Sequence, residues 1–174
     1  AWKISREGSR IQVERTSFPP APPVVASYQT PISVNPFQVS LETKLSLLLE
    51  ADAGMRRHKS VNISEAFMGT YLTEKTFAST EGSFIEQEII ECGAGISATA
   101  IDGGEVQVRS YPNSFRGNFA TRGYEWIEEL KMGDHAERVA EEAVQLLSAK
   151  PCPSGITTLI LDGSQLALQV HESI

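Results

Sequence analysis

The spacing of apolar residues predicts a helix in the first third of the chain. Ser40 is a good N-cap residue, since its hydroxyl can accept a hydrogen bond from a free backbone amide of the first turn. Leucines follow it at the spacing of one helical face: Leu41, Leu45, Leu48 and Leu49. Gly54 is placed to end the helix, because glycine readily adopts the left-handed conformation of a helix C-terminus. The pattern therefore predicts a helix over residues 41–53.

The centre of the chain alternates apolar and polar residues and predicts an antiparallel sheet. The predicted strands are 61–63, 71–79, 83–91, 94–101 and 105–110. Turn signals separate them at residues 80–82, at Cys92-Gly93 and at Asp102-Gly103-Gly104, where Asp-Gly is typical of a hairpin. We predict a meander of four or five strands whose apolar residues share one face: Phe84, Ile96, Ala98, Val106 and Val108.

Two more helices are predicted after the strands. The first covers residues 123–130, and the second begins with Asp134 as N-cap and Glu137 as its capping-box partner. Pro151 would end the second helix. Since the strands are grouped between helices, the order predicts an α+β fold, an antiparallel meander sheet with helices packed on one face.

Residues 1–39 differ from the rest of the chain. Residues 10–15 alternate like a short edge strand, and four prolines among residues 19–23 favour an extended path. We interpret residues 1–39 as a Pro-rich lead-in that continues a truncated N-terminal domain, and residues 40–174 as the α+β core of that domain.

Composition and charge exclude several classes of function. The net charge is −7, and Arg56-Arg57-His58-Lys59 is a short basic cluster of the kind that suits a helix C-terminus, so direct nucleic-acid binding is not expected. The apolar runs are too short to cross a bilayer, and the first residues lack the pattern of a signal peptide. Cys92 and Cys152 form no metal-binding or redox spacing. We expect a cytoplasmic protein without membrane contact.

The end of the chain carries the candidate chemistry. Residues 156–161 predict a buried strand, whereas residues 162–174 fit either a hairpin after Asp162-Gly163 or a helix capped by Ser164. His171-Glu172 favours the helix, because a His-Glu pair on an apolar helix is the first half of a zinc-peptidase motif. The imidazole would bind Zn²⁺, and the carboxylate would take a proton from the metal's water. As a bare dipeptide, the pair could equally be a surface feature.

Residues 159–174, ending His171-Glu172-Ser173-Ile174, resemble the segment that leads into the HExxxH motif of the TldD/PmbA family. Residues 77–87 are similar to the family's central strand-turn-strand, and Pro36-Phe37 before a leucine-rich helix fits it too. The members, also described as modulators of DNA gyrase, are metal-dependent peptidases. The resemblance implies that His171 is the first metal ligand and Glu172 the catalytic base.

The resemblance also implies a larger protein. Family members are more than twice this length, and the second motif histidine and a cysteine ligand would lie beyond Ile174. We expect this chain to be an inactive part of a zinc peptidase that acts as a homo- or heterodimer on unfolded or extended peptides. The alternative is a non-catalytic α+β interaction domain, like the PmbA-type members that lack the metal motif.

Overall fold

The computed structural model of the chain describes residues 21–174 together with Gly8, so the predictions made for residues 10–15 and for Pro19 and Pro20 lie outside the described residues. The described part contains five strands and four helices. In chain order they are β1 Val25–Gln29, α1 Leu41–Arg56, β2 Val61–Ala78, β3 Phe84–Asp102, β4 Glu105–Tyr111, β5 Asn118–Ala120, α2 Glu125–Leu130, α3 Met132–Leu146 and α4 Gly163–Ser173.

Strand β3 is the centre of the sheet. The antiparallel strand β2 pairs with one side of it along almost its whole length, from Val61 opposite Ala100 to Ala78 opposite Phe84. On the other side lie β1, which is parallel to β3, and then β5 and β4, which are antiparallel to it. The predicted α+β fold is confirmed, with β1 as an added parallel strand.

The turn predicted at Cys92-Gly93 is wrong, because β3 continues through both residues. Gly93 pairs with Gly69 of β2 on one side and with Phe119 of β5 on the other. With a neighbouring strand on each side, the backbone of this glycine-containing segment has ladder partners that the local sequence does not reveal. The turns predicted at residues 80–82 and 102–104 do separate strands.

The core lies between β3 and helices α1, α2 and α3. Alternate residues of β3 face these helices and are fully buried, namely Cys92, Ala94, Ile96, Ala98 and Ala100. Helix α1 contributes Ala51 and Met55, and α3 contributes a stripe of small residues that is continuous with them. Small residues on both surfaces let the helices approach the sheet closely, so the core is compact.

Several helix boundaries differ from the predictions, including the start of α2 at Glu125 and the end of α3 at Leu146, before Pro151. Helix α1 continues past Gly54 to Arg56, because Gly54 lies where α1 meets α3 and does not cap the helix. Helix α3 begins at Met132 after Lys131, which has a left-handed backbone (φ 46°), so Asp134 lies in the first turn and is not the N-cap. The left-handed backbone of Lys131, between α2 and α3, therefore sets the residue at which α3 begins.

The face of the sheet opposite the helices is called the outer face here. It carries Phe67, Tyr71 and Phe119, whose positions alternate with the helix-facing residues. Val106 and Val108 also lie on it, opposite Ile101 and Thr99, so their predicted place beside Ile96 and Ala98 is wrong. The pairing register of β3 and β4 sets the face on which each β4 side chain lies, because a shift by one residue would exchange the two faces.

The C-terminal residues leave the sheet. Residues 149–162 have no regular secondary structure, and Ile160 is 92% exposed, so the buried strand predicted over 156–161 is wrong. In the described part of the chain no strand lies beside this segment. An apolar segment needs a neighbouring strand to pair with, so its composition alone does not make it a strand. Residues 163–173 form helix α4, as the helical alternative predicted. None of the helices described is long and apolar enough to span a bilayer.

Candidate metal-ligand helix

Asp162 caps the N-terminus of helix α4. The Asp162 carboxylate accepts hydrogen bonds from the Gln165 amide at 2.9 Å and from the Ser164 hydroxyl at 2.8 Å. These bonds, led by the one from Gln165, hold the pKa of Asp162 below its ordinary value. Asp162 is therefore the N-cap in place of the predicted Ser164. The cap satisfies a free amide of the first turn and selects the helix over the hairpin.

His171 and Glu172 lie in the last turn of α4, and both are exposed. Neighbouring helical residues point about 100° apart, so the imidazole and the carboxylate leave the helix in different directions. The apolar residues of α4 are exposed as well: Leu166, Leu168 and Val170. The helix therefore presents its two candidate site residues on a surface that the described residues do not cover.

The described residues do not complete a metal site. They contain no group of three His, Cys, Asp or Glu side chains placed to hold one ion. Catalytic zinc sites in proteins ordinarily use three protein ligands, so one histidine and one carboxylate are too few.

The other histidines and cysteines lie elsewhere. Cys92 is buried beneath the helices, and burial raises the pKa of its thiol. Cys152 is exposed in the irregular segment before α4. The His135 ring stacks on Tyr111 with 3.9 Å between centroids, and His58 follows the C-terminus of α1. Within the described part of the chain, none of them joins His171 in a group of three possible metal ligands.

A loop over residues 112–117 connects α4 to the sheet. The Gln165 side-chain amide donates a hydrogen bond of 3.2 Å to the Ser114 hydroxyl. The loop then crosses the outer face, where Gly95 lies directly beneath the Arg116 carbonyl and Gly117 lies against the Phe67 ring. Side chains larger than hydrogen at Gly95 and Gly117 would collide with these groups. The glycines therefore allow the loop to lie flat on the sheet beside α4.

A groove that sequence reasoning missed lies between α1 and the edge of β2. Its cavity volume is about 650 Å³, and apolar side chains form much of its wall: Leu45, Leu48, Leu49, Ala66 and Phe67. At its rim Glu65 accepts a hydrogen bond of 3.1 Å from Ser97 and lies 3.5 Å from Arg116. The leucine spacing predicted the helix but could not show that these leucines line a groove while Ala51 and Met55 face the core.

Comparisons with known proteins identify relatives named as metalloproteases. A family model described as the PmbA/TldA metallopeptidase central domain matches residues 34–148. The chain is 28% identical over 172 residues to Metalloprotease MJ0996 of Methanocaldococcus jannaschii, covering 99% of this chain and 36% of the relative. It is 31% identical over 102 residues to a metalloprotease of Methanothermobacter thermautotrophicus, covering 59% of this chain and 21% of the relative.

The fold also matches a crystal structure. That structure is of TM0727 from Thermotoga maritima, described as a candidate modulator of a DNA gyrase. The two folds superpose with a TM-score of 0.56 at 18% sequence identity. The match covers 87% of this chain and 33% of the other. This chain thus spans about a third or less of the length of the relatives it matches. Since the family model covers most of the described sheet and helices, the chain belongs to the TldD/PmbA metallopeptidase family.

Proposed function

We propose that this chain is part of a metallopeptidase in which His171 is a metal ligand and Glu172 is the general base. The observation that carries the proposal is that His171 and Glu172 lie in one turn of a helix, in a chain of a metallopeptidase family. The hairpin alternative would have placed them on opposite faces of a strand, which does not suit the helical motif.

Zinc is the metal we propose, and when bound it would acidify the attacking water. Glu172 would accept the proton of that water and return it to the leaving amine of the peptide. The exposed position of both side chains supports a site that further ligands complete, since the described residues supply too few. The 174 residues alone would therefore be inactive.

The proposed substrates are unfolded or extended peptides, and the proposed active form is a dimer with a second family member. The two cysteines form no disulfide, which supports a reducing, cytoplasmic location. The alternative function is a non-catalytic interaction domain. It is supported by the exposed apolar side chains of the sheet, such as Tyr71 and Phe77, which suit contact with a partner.

Elemental analysis of the whole protein tests the proposal. We expect about one zinc per chain in the parent protein and in a His58→Gln control, and loss of the metal in His171→Ala. Glu172→Gln should keep the metal and lose peptidase activity by about a hundredfold or more, because only the base is removed. A folded parent without metal would contradict the peptidase and support the interaction domain.

A further inference from the structure

The outer face of the sheet exposes apolar side chains along its whole length. Each of the following is more than a third exposed: Ile63, Phe67, Tyr71, Phe77, Val106 and Phe119. With about 3.3 Å per residue, the 18-residue strand β2 makes this face roughly 60 Å long, and three strands give it an area on the order of 600 Å² or more. Polar side chains such as Thr73 and Lys75 lie among the apolar ones, but exposed Phe67, Tyr71 and Phe77 follow one another along β2 on this face and indicate a contact site.

The two faces of the sheet differ where the strands extend beyond the helices. On the helix side, Glu74 lies directly opposite Glu88, and Glu86 is two residues away. Carboxylates placed opposite each other favour water over burial. On the outer face of the same strands, Phe77 lies opposite Ile85 and Thr73 opposite Ile89. Both faces also mix polar and apolar side chains here, since the helix side exposes Leu72 and the outer face carries Lys75. The facing carboxylates lie only on the helix side, so the outer face suits an apolar partner better.

Helix α4 contacts a loop that lies on this face. Loop 112–117 lies on the outer face, with Gly117 against Phe67, and its Ser114 hydroxyl accepts the hydrogen bond from Gln165 of α4. The candidate site residues His171 and Glu172 thus belong to a helix that contacts a loop of the outer face. The same helix lacks the further ligands that a metal site needs.

We infer that the outer face is the docking surface for the part of the same polypeptide that supplies the remaining metal ligands. The relatives are about three times the length of the aligned region, and a protein of that length would have enough further chain to form such a layer. An interface on the order of 600 Å² or more is typical of contacts between domains of one chain. The inference rests on the proposed function only in assigning the ligands to the covering layer.

Cysteine labelling of the whole protein tests whether another part of the polypeptide covers the outer face. Tyr71 and Leu72 are neighbours in β2 on opposite faces and are similarly exposed here, at 58% and 47%. In a Cys152→Ser background, Tyr71→Cys should react with a maleimide about tenfold or more slowly than Leu72→Cys, because only the outer face is covered. The two rates should become equal in denaturant. Phe77→Cys and Ala78→Cys form a second matched pair if one variant folds poorly.

Three outcomes would overturn the inference. Equally fast labelling at Tyr71→Cys and Leu72→Cys would show an uncovered face, and equally slow labelling would show cover without a preference for this face. Protection that disappears on roughly hundredfold dilution would show that a second copy, and not the same polypeptide, covers it. Labelling needs neither metal nor activity, so a failure here is distinct from a failure of the proposed peptidase.

Discussion

At the scale of single residues, Glu125 joins two parts of the chain that are far apart in sequence. Its carboxylate accepts hydrogen bonds of 3.0 Å from the Val34 amide and 3.0 Å from the Gly123 amide. Burial by itself would raise the pKa of Glu125, but the bonds from backbone amides outweigh it and hold the pKa below its ordinary value of 4.5. The charged carboxylate therefore fixes the segment before α1 against the start of α2.

Glu125→Gln should lower the free energy of unfolding at pH 7 by roughly 1–2 kcal/mol, because a neutral amide accepts these bonds less well. A group whose pKa is lowered by folding stabilises the protein above its ordinary pKa. That stability is lost as the pH falls through the folded pKa. The difference between wild type and variant should thus be constant near neutral pH and shrink below about pH 4.5.

Urea unfolding from pH 7 to pH 3 measures this difference. Glu128→Gln, an exposed carboxylate in the same helix, is the matched control and should change the stability little. A difference between wild type and Glu125→Gln that stays the same at every pH would contradict a role for the charge.

At the scale of elements, the packing of α1 on α3 depends on Gly54. A β-carbon at this position would lie 2.8 Å from the β-carbon of Ala136, which is closer than two such carbons can approach. Both atoms are fixed by their helix backbones, so neither can rotate away. Glycine therefore costs α1 some helix propensity, but it allows the close helix contact that closes the core over Met55.

Gly54→Ala should destabilise the protein by about 1 kcal/mol, because the overpacking cost exceeds the gain in helix propensity. In an Ala136→Gly background the same substitution has room, so Gly54→Ala should become neutral or stabilising there. A double-mutant cycle on thermal or urea unfolding measures this coupling, expected to be at least about 1 kcal/mol. Additive effects of the two substitutions would show that α1 and α3 do not meet at these residues.

At the scale of the whole molecule, the described residues divide into a packed body and a C-terminal segment that is almost entirely exposed. Every residue from 149 to 174 is exposed except Ser164, which is half-buried. The hydrogen bond between Gln165 and Ser114 joins two exposed side chains. Such bonds at a surface contribute little to stability. The family model ends at residue 148, close to this boundary.

Deleting residues 149–174 should therefore leave the thermal midpoint of the 174-residue chain unchanged within about 2 °C. No buried side chain is lost, so little apolar area returns to water. Differential scanning calorimetry of the two chains makes the comparison. A fall of more than about 5 °C would mean that the segment packs on the body and adds real stability.

Sequence patterns with a local physical cause were sufficient to predict many of the helices, strands and turns of this protein. Leucine spacing after Ser40 predicted α1, Asp102-Gly103 predicted the β3–β4 turn, and grouped strands between helices predicted the α+β fold. The resemblance carried by His171-Glu172 identified the family, which the comparisons confirm. Caps, turns and periodicity depend on neighbours a few residues away, so the sequence contains them directly.

Which surfaces meet depends on contacts between residues that are far apart in the sequence. Gly93 looks like a turn residue, yet two flanking strands keep it inside β3, and Gly54 looks like a helix end, yet it is a contact with Ala136. The local sequence was enough to predict the periods of the elements and the residue types of the candidate site. The faces of those elements depend on partners distant in sequence, whose registers and approach distances no local pattern contains.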